Sequence, residues 1–441
     1  MKVCIIGAGA LGLGTAYFLT KKGIQSTIFE SKSYPGGLGA SFKIENSQIE
    51  KYHHFVCSGD TKIMEIAEDN EINAEILWNE CEMGYYADGK LYPFTTAKDL
   101  LFFNPLSLID RLRFGFGMFY LQQFKDWRKL ENISAEKWLI KWTGKKAYEK
   151  IWGHLFTSKF EGEEDTIPLS WLHARITRRV SSREGKKARE KFGYVKGSMS
   201  EIFNSIAKHI EKNGSSIQLD SPVTKIKKID DGFEVHSNNN SYKFDSIIAT
   251  VANPVLSELV EGLPDSYMKK LSKIRYQTIK NVVFVLDKPF SKYFWVNISD
   301  RDIPFPGIIE MTNLIPTEYF NGKSVIFLPN YLLKTNRLFK LNDDELHSEY
   351  IQALMKIKGN NFNEKSILNA YTFCDDFADP YYTLNYSSIL PDHETPHDGL
   401  YLFNTSQIYP TTRNVNSSLA LGELASSFAE KFLKSKNTNQ D

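Results

Sequence analysis

Residues 3–14 read Val3-Cys4-Ile5-Ile6-Gly7-Ala8-Gly9-Ala10-Leu11-Gly12-Leu13-Gly14, and this stretch decides the fold. The apolar run Val3 to Ile6 suits a strand buried on both faces. After the glycine turn, Leu11 to Lys22 predicts a helix stopped by Gly23. Ser26-Thr27-Ile28-Phe29-Glu30 predicts a second strand, which completes a βαβ opening. Gly7 permits the tight turn, Gly9 lets the backbone approach a pyrophosphate, and Gly12 allows close helix–strand packing. Ala10 and Leu11 open the helix, whose N–H groups and positive dipole end point at the phosphates. Glu30 ends the second strand, where its carboxylate, beside Ser31, meets ribose hydroxyls. Its charge disfavours a 2′-phosphate and therefore NADP. A purely structural glycine turn is the alternative.

Outward from this opening, Tyr34-Pro35-Gly36-Gly37-Leu38-Gly39-Ala40-Ser41 forms a second glycine-rich loop. An NAD domain usually continues into a third strand and helix; here the loop runs close to an extended dinucleotide instead. A surface loop is the alternative. Met199 to Asn213 predicts an amphipathic helix with Ile202, Ile206 and Ile210 on one stripe. Short strands follow at Ser216–Leu219, Val223–Ile226, Gly232–Val235, Tyr242–Phe244 and Asp245–Thr250. Gly399 to Phe403 predicts a strand, Ser417 to Leu433 a helix, and 434–441 a frayed tail. The fold class is α/β: a discontinuous Rossmann-type domain of 1–80, 197–265 and 391–433. A mixed α+β substrate domain takes the aromatic-rich insertions 81–196, mostly helical, and 266–390.

The glycine turn, Glu30, the Gly36-Gly37 loop and the C-terminal strand–loop–helix together resemble the flavin amine oxidase and protoporphyrinogen oxidase superfamily. The resemblance implies FAD as cofactor, with Leu38 in the second loop and Val223 beside the adenine. It also implies that the helix beginning near Asn416, Ser417 and Ser418 directs its dipole at the flavin. Where the family usually has Gly-Asp, this chain has Asn404-Thr405, so Asn404 or Thr405 stands in for the acid. Ile308 to Leu314, and Tyr409-Pro410 with Arg413 and Asn416, resemble a bacterial and archaeal protoporphyrinogen-oxidase-like branch. UDP-galactopyranose mutase is a more distant relative. The implied activity is hydride transfer from a small molecule, an amine, polyprenoid or nucleotide sugar, to flavin N5. The alternative is a non-redox mutase.

Candidate catalytic residues are His53 and His54, which the resemblance places where the chain passes the flavin ring, with Glu310 and Tyr409. Histidine moves protons near neutral pH, and the alternative is a packed strand. Glu310 interrupts an apolar run and either faces a substrate or pairs within its own domain. Arg175, Arg179 and Arg413 are substrate candidates, since the basic run Arg175 to Lys196 suits phosphates or anionic headgroups. A solvated loop is the preferred reading of that run. Leu100 to Phe124 reads as a buried cap helix, with an apolar tunnel or a membrane-surface contact as alternatives.

Composition sets the outer limits. The 441 residues carry 54 basic and 53 acidic side chains, which excludes a chain-wide nucleic-acid-binding field. No apolar run reaches the length of a bilayer span. Cys4, Cys57, Cys81 and Cys374 form no Cys-x-x-Cys pair, so neither a zinc site nor a disulfide framework is signalled, and no metal is expected. A reducing, cytoplasmic setting is the expectation.

Overall fold

The computed structural model describes residues 2–181 and 190–438. Val3–Ile6 (β1) and Ser26–Phe29 (β2) pair in parallel, joined by the helix Ala10–Lys21 (α1). Their short apolar sequences leave no polar face, so both sides need cover. The sheet has five parallel strands, ordered Ser216–Gln218, β2, β1, Ser246–Ala249, Leu400–Leu402. Val3 lies opposite Ser26 on one side and Ser246 on the other. Three segments far apart in the chain thus make one sheet.

On one face α1 packs with the helices Met199–Lys212 and Val415–Thr438, burying Leu13, Ile202, Ile206, Leu419 and Ala425. On the other face lies an antiparallel sheet of Val223–Ile229, Gly232–Ser237 and Asn240–Phe244, which buries Ile226, Phe233 and Val235 against Cys4, Ile6 and Leu400. The C-terminal helix continues to Thr438, so residues 434–438 are not a frayed tail; 439–441 lie outside the described residues. Asn414 gives that helix its start, accepting the Ser417 N–H at 2.7 Å.

The second layer is a seven-stranded mixed sheet ordered Ile367–Pro380, Tyr276–Leu286, Ser324–Leu332, Gly307–Glu310, Trp295–Ile298, Met83–Ala87, Lys90–Pro93. The helix Asp343–Lys358 covers one side of it. Insertion 81–196 is helical from 97 to 181, but its two ends are strands. Met83–Ala87 and Lys90–Pro93 join the large sheet, and Glu190–Val195 pairs with Ile76–Cys81 and Val56–Cys57. The helix Leu108–Gln122 is not a buried cap element. It buries Phe114, Gly117 and Leu121, yet exposes Leu108, Ile109, Leu112, Phe116 and Phe119. Among the described residues, no helix is long and apolar enough to cross a membrane.

Candidate functional site: a glycine cradle opening on a cationic cavity

Two glycine loops build the cradle. At Gly7 φ is +103°, the left-handed region that favours glycine. A Cβ on Gly12 would stand 1.9 Å from the Gly7 carbonyl oxygen, so helix and turn touch backbone to backbone. The Gly36 N–H donates to the Ala8 carbonyl at 2.8 Å, which fastens the second loop to the first. A side chain at Gly9 would fill the space between them, where its Cβ meets only the Gly37 Cα at 4.0 Å. Helix α1 has no side-chain cap and no acid in its first turn, so the N–H groups at Ala10, Leu11 and Gly12 keep their affinity for an anion. Glu30 accepts the Ala8 N–H at 2.7 Å and the Lys32 N–H at 2.9 Å, with the Ser31 hydroxyl at 3.2 Å. It therefore braces the turn while retaining lone-pair capacity. Beside it, the Ser221 N–H donates to the Glu30 carbonyl, which brings the segment leading to Val223 to the cradle's edge. These features fit an extended dinucleotide.

The cradle ends at a cavity of about 160 Å³ lined by Leu38, His53, His54, Arg175, Asp379 and Arg413, among others. Leu38 comes from the second glycine loop. Arg413 and Asn414, also in the lining, stand at the start of the C-terminal helix. Adjacent to Leu38, a Cβ on Gly39 would stand 3.7 Å from Val415 of that helix. Cradle, helix N-terminus and cavity thus converge.

The cavity's charge is concentrated in one buried network. Lys159 donates to Asp379 at 2.6 Å, and Arg413 reaches the other oxygen of the same carboxylate at 3.3 Å. Lys159 also lies 3.9 Å from the Tyr331 ring centre. Burial works to raise Asp379, but Lys159 and Arg413 outweigh it and hold the carboxyl below its usual range. Burial pulls Lys159 down to about 8, so it stays largely charged at neutral pH. Arg175 stacks on Trp171 at 4.7 Å and pairs with no carboxylate within salt-bridge distance among the described residues. Arg178 is tied to Asp60 at 2.7 Å. Asp379 therefore bonds Lys159 and Arg413 directly, while Arg175 feels the same carboxylate through space and lines the cavity.

His53 and His54 lie in a segment outside any helix or strand, and both line the cavity. Burial pushes His53 down to about 3 and His54 to about 4, so both are neutral at physiological pH. The His54 Nδ1 lies 2.7 Å from the Tyr52 carbonyl, whereas the buried His53 Nδ1 has no partner.

Other candidates are placed elsewhere. Glu310 does not face the cavity: its carboxylate accepts the Phe290 and Ser291 N–H groups, each at 2.8 Å, and the Ser324 hydroxyl at 2.7 Å. Burial raises its pKa. It clamps a turn of the substrate layer. The Tyr409 hydroxyl bonds Ser170 at 2.6 Å, and its ring packs on Tyr382 and Tyr386, behind the cavity loop. Arg179 pairs with Glu190 at 3.0 Å and lies over the Trp295 ring at 5.8 Å rather than in the lining itself. Asn404 has no side-chain capacity left for a cofactor. Its amide donates to the Val251 carbonyl and Asn253, and its oxygen accepts the Ser406 N–H and hydroxyl. The Asn416 oxygen accepts the Lys62 and Ile63 N–H groups at 2.8 and 3.1 Å, capping the helix Thr61–Glu68. Ser417 donates to the Thr412 carbonyl and Ser418 is buried in the first turn of its helix. Arg175 and Arg178 belong to the helix Leu169–Ser181 rather than a solvated loop; Arg183, Lys186, Lys187 and Arg189 lie outside the described residues. Sequence reasoning missed Lys159 and Asp379. Their only signal is an acid just before Pro380, on a strand 220 residues from its partner.

Residues 12–414 match the family model described as flavin containing amine oxidoreductase. Coproporphyrinogen III oxidase of Staphylococcus aureus is 33% identical over 128 residues, covering 26% of this chain and 28% of that protein. The chain thus aligns with under a third of that relative's length. A protein described as a candidate protoporphyrinogen oxidase from Exiguobacterium sp. 255-15 shares the fold with TM-score 0.76, 15% identity and coverage of 98% of this chain and 99% of that one. Reduced UDP-galactopyranose mutase shares it with TM-score 0.74, 16% identity and coverage of 98% and 95%.

Proposed function

The chain belongs to the flavin containing amine oxidoreductase family, and from that premise we propose that it is an FAD-dependent oxidoreductase acting on a small molecule that carries an anionic group. The observation behind this reading is Arg175, a half-buried guanidinium lining a cavity that begins where the glycine cradle ends. In this reading bound FAD would supply the acceptor for a hydride leaving a substrate C–H bond. Gly7, Gly9, Ala10, Leu11 and Gly12 hold the pyrophosphate, Glu30 and Ser31 the ribose, and Val223 the adenine side. Gly36, Gly37 and Leu38 follow the dinucleotide toward its ring, and the helix turn at Ser417 and Ser418 supports negative charge there. This assigns 1–80, 197–265 and 391–433 to cofactor binding and 81–196 with 266–390 to the substrate.

Arg175 and Arg413 bind and orient the substrate's anion, since guanidinium suits carboxylate and phosphate alike. Lys159 and Asp379 fix Arg413. Neutral His53 offers its unpartnered Nδ1 as acceptor to a substrate N–H or O–H. Trp171, Trp295 and Tyr382 exclude water around the reacting carbon. Four free cysteines accord with a reducing, cytoplasmic setting. A mutase reading is favoured only by the same cations, which also suit a nucleotide-sugar diphosphate.

Anaerobic titration tests both readings. Acidic amines, polyprenoid acids and nucleotide sugars are added to the flavin-loaded protein, and its visible absorbance is followed. Bleaching by an acidic donor, and not by its neutral analogue, is the expected result. Arg175→Ala should weaken that donor by roughly tenfold to a hundredfold, the scale of a charged hydrogen bond. Equal bleaching by charged and neutral forms removes Arg175 from substrate binding. Turnover of a nucleotide sugar to an isomer of unchanged oxidation level replaces the oxidoreductase with a mutase.

A further inference from the structure

Exposed apolar side chains are normally scattered on a protein surface. Here they are not. Twelve large apolar side chains are exposed among the described residues, and seven of them fall between Leu101 and Phe119. Leu108, Ile109, Leu112, Phe116 and Phe119 recur at helical spacing along one side of Leu108–Gln122, with Leu101 and Phe102 just before it. Ile109 is 77% exposed, Phe102 65% and Phe119 61%.

The helix is fixed from beneath. A Cβ on Gly117 would stand 2.9 Å from Thr143 Cγ2, and Leu121 enters the core shared by Trp138 and Trp171. The rim is basic. Residues 97–130 carry six basic side chains (Lys98, Arg111, Arg113, Lys125, Arg128 and Lys129) and three acids. Each acid is already used in local capping: Asp99 by the Thr95 and Thr96 N–H groups, Asp110 by Ser107, and Asp126 by the Arg128 N–H. Arg111 and Arg113 are held by backbone carbonyls, which leaves their charge uncancelled. Fifteen residues make a helix about 22 Å long, too short to span a bilayer but suited to lie along one.

We propose that this face docks the protein on an anionic lipid bilayer, with the apolar row in the acyl boundary and the basic rim among the headgroups. The charge pattern selects this occupant over a second copy of the chain, whose matching face would bring the same cations together. The inner side of the same helical layer carries Trp171 and Arg175 of the cavity lining. Docking itself does not depend on the flavin reading.

Vesicle flotation of the full, flavin-loaded chain tests it. The protein should float with vesicles of mixed phosphatidylglycerol and phosphatidylcholine, far less with phosphatidylcholine alone, and less again at high salt. Ile109→Glu combined with Phe116→Glu should reduce flotation about tenfold or more while flavin absorbance and melting temperature are kept. In an otherwise unchanged chain, the emission of Phe116→Trp should shift to the blue on adding the anionic vesicles. Failure of the wild type to float, or flotation of the double variant at the wild-type level, overturns the proposal. So does a double variant that turns a dimer into a monomer in sedimentation with vesicle binding unchanged, since a second copy then covers the face.

Discussion

The glycine cradle and the cavity it opens on are built in opposite ways. The cradle is mostly backbone: Gly7, Gly9, Gly12, Gly36 and Gly37 are there for the atoms they lack, and Gly36 joins Ala8 by a main-chain hydrogen bond. The cavity is made of side chains brought together from distant segments, Lys159, Arg175, Asp379 and Arg413, and its character is electrostatic. A backbone site tolerates no added atoms; a side-chain site tolerates no unbalanced charge. Substitutions in the two regions should therefore fail differently.

The sharpest contrast lies within the cradle. Gly9→Val adds its side chain to open space, so the protein should fold and melt as before but purify without flavin absorbance. Gly12→Ala drives a Cβ into the Gly7 carbonyl and should cost the fold itself about 3–5 kcal/mol. A Gly9→Val protein that retains full flavin absorbance breaks the cradle assignment. In the cavity, Asp379→Ala leaves Lys159 and Arg413 buried without their carboxylate. Unfolding in denaturant should show a loss of about 3–5 kcal/mol, as for other broken buried pairs. Asp379→Asn keeps the shape and separates packing from charge. If neither variant changes stability, the network is not an energetic unit.

The same contrast explains what could be read from the chain. The strand–turn–helix opening is encoded within thirty residues, and the helix predicted at Leu11–Lys22 forms at Ala10–Lys21. Spacing carries the information there, because a backbone site is local. Asp379 and Lys159 carry no such mark: an acid on a strand and a lysine on a helix have many destinations, and only the tertiary fold makes them partners. Asn404 has a residue type suited to a cofactor, but its amide is saturated by the loop it organises. Glu310 in an apolar strand signals a buried carboxylate and leaves open whether a substrate or two backbone N–H groups will satisfy it; here it is the latter. The helix Leu108–Gln122 is apolar on both sides, so periodicity could not say which side is buried.

At the start of the helix Met199–Lys212 sits Glu50, fully buried, accepting the Met199 N–H at 2.6 Å and the Tyr194 hydroxyl at 2.9 Å. Burial pushes it up to about 7 despite those bonds. Because the folded value lies above the unfolded one, its contribution to stability is full below about pH 4.5 and is lost as pH rises through about 7. The loss is about 3 kcal/mol at most. His53 and His54 act with the opposite sign: their folded values lie below 6.5, so their contribution is present above that pH and is lost as pH falls toward 4 and 3. Glu50→Gln should therefore be relatively more stable than wild type at pH 8 than at pH 5, by denaturant unfolding at the two pH values. A difference independent of pH removes Glu50 from this role.

The smallest effect separates a ligand from a brace. Asn416 stands at the first turn of the C-terminal helix, where a cofactor contact is easily assumed. Its side-chain oxygen instead caps the helix Thr61–Glu68, whose own N-cap residue, Asp60, makes no capping bond to it. Asp60 is drawn away by Arg178 and by the Cys57 N–H, so the cap must come from another part of the chain. Asn416→Ala should cost about 1 kcal/mol, a typical lost cap. Flavin affinity should stay within a factor of about two, because backbone N–H groups at the helix start are untouched. Asn416→Asp keeps the acceptor and should recover the stability. If alanine instead leaves the melting temperature alone and weakens flavin about tenfold, Asn416 belongs to the cradle after all. The boundary between backbone-made and side-chain-made binding then shifts into the C-terminal helix.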